Sequence, residues 1–166
     1  MKKDIFLFML LVFMLVGCSM ANTPTSKVEE LFTKYQKIDS DIATGISQVL
    51  KEQNLTNDHQ NRYRKLLEKQ YKNLNYEIKE ELVDGNTATV LTEIEVTDYK
   101  KAINDLYFDS NIYTKDSFDE EKLDRLEDTN DKVKYTLELT LTKDNDDKWK
   151  LDALTNEQIK KIQGMY

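Results

Sequence analysis

The side chains best suited to covalent or metal chemistry are scarce in this sequence of 166 residues. It contains one cysteine, Cys18, and one histidine, His59, whereas a structural zinc site of the Cys/His type needs four such ligands. A histidine that acts as a general base needs a cleft and an orienting partner. His59 instead follows Thr56-Asn57-Asp58, which predicts a solvated position at the start of a helix. We therefore expect no catalytic residue, no metal and no cofactor.

Two acidic clusters have the residue types of a cation site without its spacing. An EF-hand loop that started at Asp144 would need glycine at its sixth position and glutamate at its twelfth. Trp149 and Thr155 stand there instead, so Asp144-Asn145-Asp146-Asp147 is interpreted as a polar hairpin turn. The second cluster predicts a solvated helix face and comprises Asp116, Asp119, Glu120, Glu121 and Asp124.

Cys18 stands at the end of an N-terminal segment with the organisation of a signal peptide. Lys2 and Lys3 precede an unbroken apolar run, Ile5 to Val16, which is shorter than the ~20 residues that span a bilayer as a helix. The motif Leu15-Val16-Gly17-Cys18 resembles the bacterial lipobox. The resemblance implies that a signal peptidase recognises Leu15, Val16 and Gly17 and removes residues 1–17. It also implies that Cys18 carries the lipid, so that the chain is extracytoplasmic and anchored to the cell membrane, or to an outer membrane in a host that has one.

Composition limits the partners and the domain count. The net charge is −7, and loss of residues 1–17 makes it one unit more negative, which argues against nucleic acid. An acidic domain is repelled by an anionic membrane, so the lipid has to hold it there. The length fits one domain that needs no disulfide. We expect a tether over residues 18–25 and a single domain over residues 26–166.

The N-terminal half of that domain has helical periodicity. Ser26 and Glu29 form a capping box that predicts the start of the first helix. Asp39-Ser40-Asp41 interrupts the following apolar stripe, which leaves either one long kinked helix or two short ones. Asn57 and Gln60 form a second capping box before another amphipathic helix.

The periodicity then changes to the alternation of two β-hairpins. The first carries Leu74, Tyr76, Ile78 and Leu82 on one face, turns at Asp84-Gly85, and returns through Ala88, Val90, Ile94 and Val96. The second runs from residue 132 to 153 with its turn at residues 143–147. A polar stretch between them contains a third helix start, Ser117 with Glu120, and Thr155 with Gln158 begins a last helix. The fold class is α+β, with helices on one face of a four-stranded antiparallel sheet.

This order of elements resembles the NTF2-like (cystatin-like) superfamily, and in particular its bacterial lipoproteins. The features that carry the resemblance are the lipobox, the N-terminal helices, Tyr76-Glu77-Ile78 leading through Asp84-Gly85-Asn86 to Ala88-Thr89-Val90, and the closing Asp147-Lys148-Trp149-Lys150-Leu151. It implies that the helices pack into the concave side of a bent sheet. It transfers no catalytic residue.

Two functions remain open at this point. The first is a non-catalytic interaction or structural domain that contacts a second copy or an envelope protein through the polar Thr/Glu/Lys face of the sheet. The alternative is a module that binds a small apolar or amphipathic ligand in the cone of the sheet. Its pocket would be lined by aromatic side chains, namely Tyr35, Tyr63, Tyr76, Tyr135 and Trp149.

Overall fold

A computed structural model describes residues 22–166, which form an α+β domain of six helices and four strands. The first three helices precede the sheet and are α1 (Pro24–Lys37), α2 (Ser40–Glu52) and α3 (Asn57–Lys72). The strands are β1 (Asn75–Asp84), β2 (Thr87–Thr97), β3 (Lys132–Lys143) and β4 (Trp149–Leu151). Between the hairpins lie α4 (Tyr99–Ala102) and α5 (Lys115–Asp128), and α6 (Asn156–Ile162) follows the sheet. The predicted α+β class, with N-terminal helices and a four-stranded antiparallel sheet made of two hairpins, is confirmed.

Helix α1 begins earlier than the sequence pattern predicted. Thr23 is the N-cap: its side chain accepts a hydrogen bond from the Ser26 N–H, and the Ser26 hydroxyl accepts one from the Thr23 N–H. Pro24 occupies the first turn, where its missing N–H costs nothing. The start at Ser26 was therefore wrong, because Ser26 closes the capping box instead of opening it. Pro24 and Thr25, assigned to the tether, belong to the helix.

The other helix boundaries follow from local capping. Ile38 adopts a left-handed conformation with φ 50°, and Asp39 caps α2 by accepting from the N–H groups of Asp41 and Ile42. The alternative of two short helices is thus confirmed. Thr56, one residue before the expected Asn57, caps α3. Thr114, three residues before the expected Ser117, caps α5 in a reciprocal pair with Ser117.

The sheet is antiparallel in the order β1-β2-β3-β4. The register between β1 and β2 shifts between Ile78 and Glu80, which marks a bulge. Beyond the bulge, Leu82 pairs with Thr89 on the polar face, whereas Val83 pairs with Ala88 on the apolar face. The predicted inward position of Leu82 was therefore wrong. Both Leu82 and Val83 remain half exposed.

The helices pack on the apolar face of the sheet. Phe32 of α1 is fully buried and stacks on Tyr76 of β1 with 4.5 Å between the ring centroids. Most inward residues of the two central strands are at most 3% exposed, among them Ala88, Val90, Ile94, Val96, Leu137, Leu139 and Leu141. Val133 and Tyr135, near the start of β3, are only partly buried. The helical layer thus leaves the opposite face of the sheet as a separate surface.

Candidate functional site

The outward face of the sheet is an ordered polar surface that the helices leave largely uncovered. All outward residues of β3 are exposed, namely Lys132, Lys134, Thr136, Glu138, Thr140 and Thr142. Their neighbours on β2 alternate with buried residues in the same regular way. Because side chains on one face of a sheet are held at fixed spacing, this surface is preorganised.

One half of this face is a ladder of charges across three strands. Lys134 Nζ lies 2.9 Å from Glu93 Oε1, and Lys79 Nζ lies 2.6 Å from Glu77 Oε2 and 3.8 Å from Glu93 Oε1. The hydrogen bond from Lys134 holds the pKa of Glu93 below its ordinary value. These pairs are exposed and neutralise one another, so they contribute little to stability.

The other half of the face, toward the β1–β2 turn, is rich in threonine, and its carboxylates Glu80 and Glu138 lie on either side of Leu91. Thr89 lies opposite Thr140, and Leu91 lies opposite Glu138 and diagonal to Thr136 on the same face. A depression of about 400 Å³ separates these residues from α6, whose Gln158 side chain donates to the Glu138 carbonyl at 2.6 Å. We call Thr89, Leu91, Thr136 and Thr140 the threonine patch. Burying such side chains costs less desolvation than burying the charged ladder.

A groove of about 650 Å³ lies between α2 and α6 on the helical side. Its apolar walls include Ile42, Val49 and Ile159, and the rings of Tyr35 and Tyr71 meet edge to face at 4.9 Å between centroids. Burial raises the pKa of both phenols, so both stay neutral and act as hydrogen-bonding groups. The rim is polar and includes Asp41, Gln48, Glu52, Asn156, Lys160 and Gln163.

The five residues named for a pocket in the cone are not brought to one place. Tyr35 lines the groove between α2 and α6, and Tyr76 borders a shallow depression near Glu93 and Lys134. Tyr63 is buried on α3 with Lys122 Nζ 6.0 Å from its ring centroid. Tyr135 donates its hydroxyl hydrogen to the Tyr166 carbonyl at 3.0 Å, and Trp149 packs under Lys143 Nζ.

His59 is not the solvated residue that the sequence predicted. It is 4% exposed between α3 and α5, with Nε2 2.8 Å from Glu120 Oε2 and Nδ1 3.8 Å from Asp116 Oδ1. Nδ1 is buried without a hydrogen-bond partner. The signal was missed because Glu120 lies 61 positions away in the sequence.

Arg62, also missed, connects the acidic face of α5 to α3. Its guanidinium donates to Glu120 at 2.7 Å, to Asp124 at 2.6 Å and to Glu127 at 2.8 and 2.9 Å. The hydrogen bonds from Arg62 hold the pKa of Glu127 below its ordinary value. The α5 carboxylates, predicted as a merely solvated face, thus join two helices.

The acidic cluster at Asp144-Asn145-Asp146-Asp147 has the geometry of a turn, as the sequence predicted. Asp144 Oδ1 accepts from the backbone N–H groups of Asp146 and Lys148 at 2.9 and 3.0 Å. These bonds and Lys150 lower the pKa of Asp144 to about 2. Over residues 22–166 no three His, Cys, Asp or Glu side chains converge as a metal ion would require.

Comparison with known proteins does not identify a family for this chain. A scan against protein-family models finds no match, and searches of curated proteins and of solved structures find none either. Within the described part of the chain, no helix has the length and apolar character needed to cross a membrane. Leu15, Val16, Gly17 and Cys18 lie outside the described residues.

Proposed function

We propose that this chain is an extracytoplasmic lipoprotein, anchored through Cys18, whose domain is a non-catalytic interaction module. The anchor is supported by Leu15-Val16-Gly17-Cys18 after a charged and apolar leader. The order of three helices, hairpin, helical segment, hairpin and helix supports membership of the NTF2-like superfamily.

The observation that carries the interaction proposal is the threonine patch. Interface centres are depleted of charged residues, and here four threonine and leucine side chains around Glu138 adjoin a ladder whose charges are already paired with one another. The depression beside α6 gives this area a concave shape that a protruding side chain of a partner fills. The partner is a protein, either a second copy of the chain or another envelope protein.

Site-specific photocrosslinking on intact cells tests this proposal. A photoreactive amino acid replaces Thr136 in the patch, and a matched variant carries it at Asn61, an exposed residue of α3 in the helical layer. We expect a crosslinked product from position 136 and none from position 61. A product of twice the mass of the chain identifies a dimer, and another mass identifies a partner. Equal yields from both positions, or none, contradict the proposal.

A second function, binding of a small amphipathic ligand, is favoured by the groove between α2 and α6. Gly45 lines this groove, and a Cβ built on it meets nothing within 4 Å, so Gly45→Leu places a side chain at the groove wall and also improves helix propensity. Native mass spectrometry of the protein purified from its host tests this function. It predicts an adduct that Gly45→Leu abolishes and that Thr44→Leu, on the exposed neighbour, retains.

A further inference from the structure

Two exposed aliphatic side chains, Leu82 and Val83, stand at the tip of the β1–β2 hairpin. They are 53% and 54% exposed and precede the turn Asp84-Gly85-Asn86. Their pairing partners, Thr89 and Ala88, put the two side chains on opposite faces of the hairpin. A flat protein surface covers only one face of such a tip. A lipid bilayer into which the tip inserts covers both faces.

The contacts of the first described residues place them at the same end of the domain. Asn22 Oδ1 accepts from the Trp149 N–H at 2.6 Å, and Lys143, which pairs with Trp149, donates its N–H to the Asn86 carbonyl of the hairpin turn. Thr25 donates from its N–H and hydroxyl to the Glu81 carboxylate, next to Leu82. The chain toward Cys18 therefore leaves the domain beside the hairpin tip.

The distance from this exit to the anchor is short. Four residue steps separate Asn22 from Cys18, and a fully extended chain spans at most ~3.6 Å per residue, so the two lie within about 14 Å of each other. This inference rests on the proposed function, in which Cys18 carries the lipid. The tip then stands close to the lipid headgroups.

We propose that the hairpin tip, through Leu82 and Val83, docks into the bilayer that carries the anchor and fixes the orientation of the domain. The strands then stand on the membrane, and the threonine patch faces sideways, toward neighbours in the envelope. Apolar side chains buried at the headgroup boundary bind by their buried area. Acidic side chains outnumber basic ones at this end, with Glu81, Asp84, Asp144, Asp146 and Asp147 against Lys143, Lys148 and Lys150, so the docking relies on the apolar tip and not on charge.

Fluorescence of the lipidated full-length protein tests the docking. Lipid modification consumes the thiol of Cys18, the only cysteine, so Val83→Cys supplies a unique site for an environment-sensitive fluorophore. Lys132→Cys is the matched control, because it is exposed at the opposite end of the same sheet, twelve residues along β3 from the turn. Both proteins are reconstituted in phosphatidylcholine–phosphatidylglycerol vesicles that contain a quencher on their acyl chains.

The expected result is a blue shift and loss of emission at position 83 and neither change at position 132. Leu82→Asp should restore the emission at position 83, because it places a charge in the apolar phase. Equal emission from both positions, in protein whose intact mass includes the lipid, overturns the docking and leaves the proposed function standing. An intact mass without lipid overturns both. Shielding of position 83 in cells but not in vesicles assigns the tip to a protein partner and also overturns the docking.

Discussion

The side chain of Asn22 accepts a hydrogen bond from the backbone N–H of Trp149 at 2.6 Å, although 127 positions separate the two residues. The bond ties the start of the described chain to β4, the shortest strand, at an edge of the sheet. It therefore joins the first described residue to the last strand of the sheet.

Asn22→Ala should lower the free energy of unfolding by about 1 kcal/mol, the typical net contribution of one hydrogen bond, because the Trp149 N–H loses its acceptor. Urea unfolding followed by tryptophan fluorescence measures the change, since Trp149 is the only tryptophan. Asn145→Ala, in the exposed β3–β4 turn, is the control and should leave the midpoint unchanged. Equal effects of the two substitutions would show that the Asn22 contact does not stabilise the domain.

Thr92 offers the opposite case, a polar group whose removal should stabilise the protein. It is 0% exposed on the apolar face of β2, and its hydroxyl has no hydrogen-bond partner. Thr92→Val removes an unsatisfied buried group, so we expect the free energy of unfolding to rise by about 1 kcal/mol. Thermal unfolding measures this, with Thr136→Val on the outward face as the control that changes it by less than about 0.5 kcal/mol. A lower melting temperature for Thr92→Val would contradict the packing of this residue.

Gly164 is required by both backbone conformation and space. Its φ is +69°, and an added Cβ would lie 2.0 Å from the Thr97 carbonyl oxygen. Gly85 has φ +59° with nothing near its Cβ position, so Gly85→Ala isolates the conformational cost of about 1–2 kcal/mol. Gly164→Ala should lower the free energy of unfolding by clearly more, above about 3 kcal/mol, because β2 or the C-terminal turn must move. Similar losses of unfolding free energy for the two variants in urea would contradict the close approach of Gly164 to the Thr97 carbonyl.

The contact between Arg62 and Glu127 should appear in the acid dependence of stability. The pKa of Glu127 is lowered in the folded protein, so the stabilisation is complete above its ordinary value of 4.5 and is lost as pH falls through the folded value. Arg62→Gln removes the hydrogen bonds that lower this pKa. The variant should therefore be less stable than the parent at neutral pH, and the difference should shrink as the pH falls below 4.5.

Urea unfolding at a series of pH values measures this convergence. Arg64→Gln is the matched control on the same helix. Unlike Arg62, Arg64 contacts a hydroxyl, that of Ser47 at 3.4 Å, and not a carboxylate. A constant difference between the Arg62 variant and the parent at all pH values would mean that Glu127 is not the group involved.

Local patterns in the sequence were sufficient to predict the order of the helices and strands. The exact helix starts and the strand register depend on contacts that these patterns do not show. Alternation and turn residues defined both hairpins, and Asp39 defined the break between α1 and α2. Where two possible caps lie three residues apart, as with Thr23 and Ser26, the pattern alone does not distinguish the cap from its partner. No glycine or proline marks the bulge after Ile78 in the sequence, so the outward position of Leu82 could not be predicted.

The candidate site was accessible to sequence analysis only in part. The polar face of β2 and β3 follows from their alternation, but its division into a charged ladder and a threonine patch depends on the cross-strand register. The burial of His59 depends on α5 lying against α3, and the aromatic residues proposed for one pocket are dispersed because β1, α1 and α3 present them in different directions. The groove at Gly45 depends on the docking of α6.

The central claim is that Cys18 carries the lipid that anchors this domain. Intact-mass measurement of the protein extracted from host membranes, beside a Cys18→Ser variant, tests it most directly. We expect the parent to lack residues 1–17 and to carry a diacylglyceryl group on Cys18, and the Cys18→Ser variant to keep residues 1–17 and to gain no lipid. A parent protein with an unmodified Cys18, or one that retains residues 1–17, would contradict it.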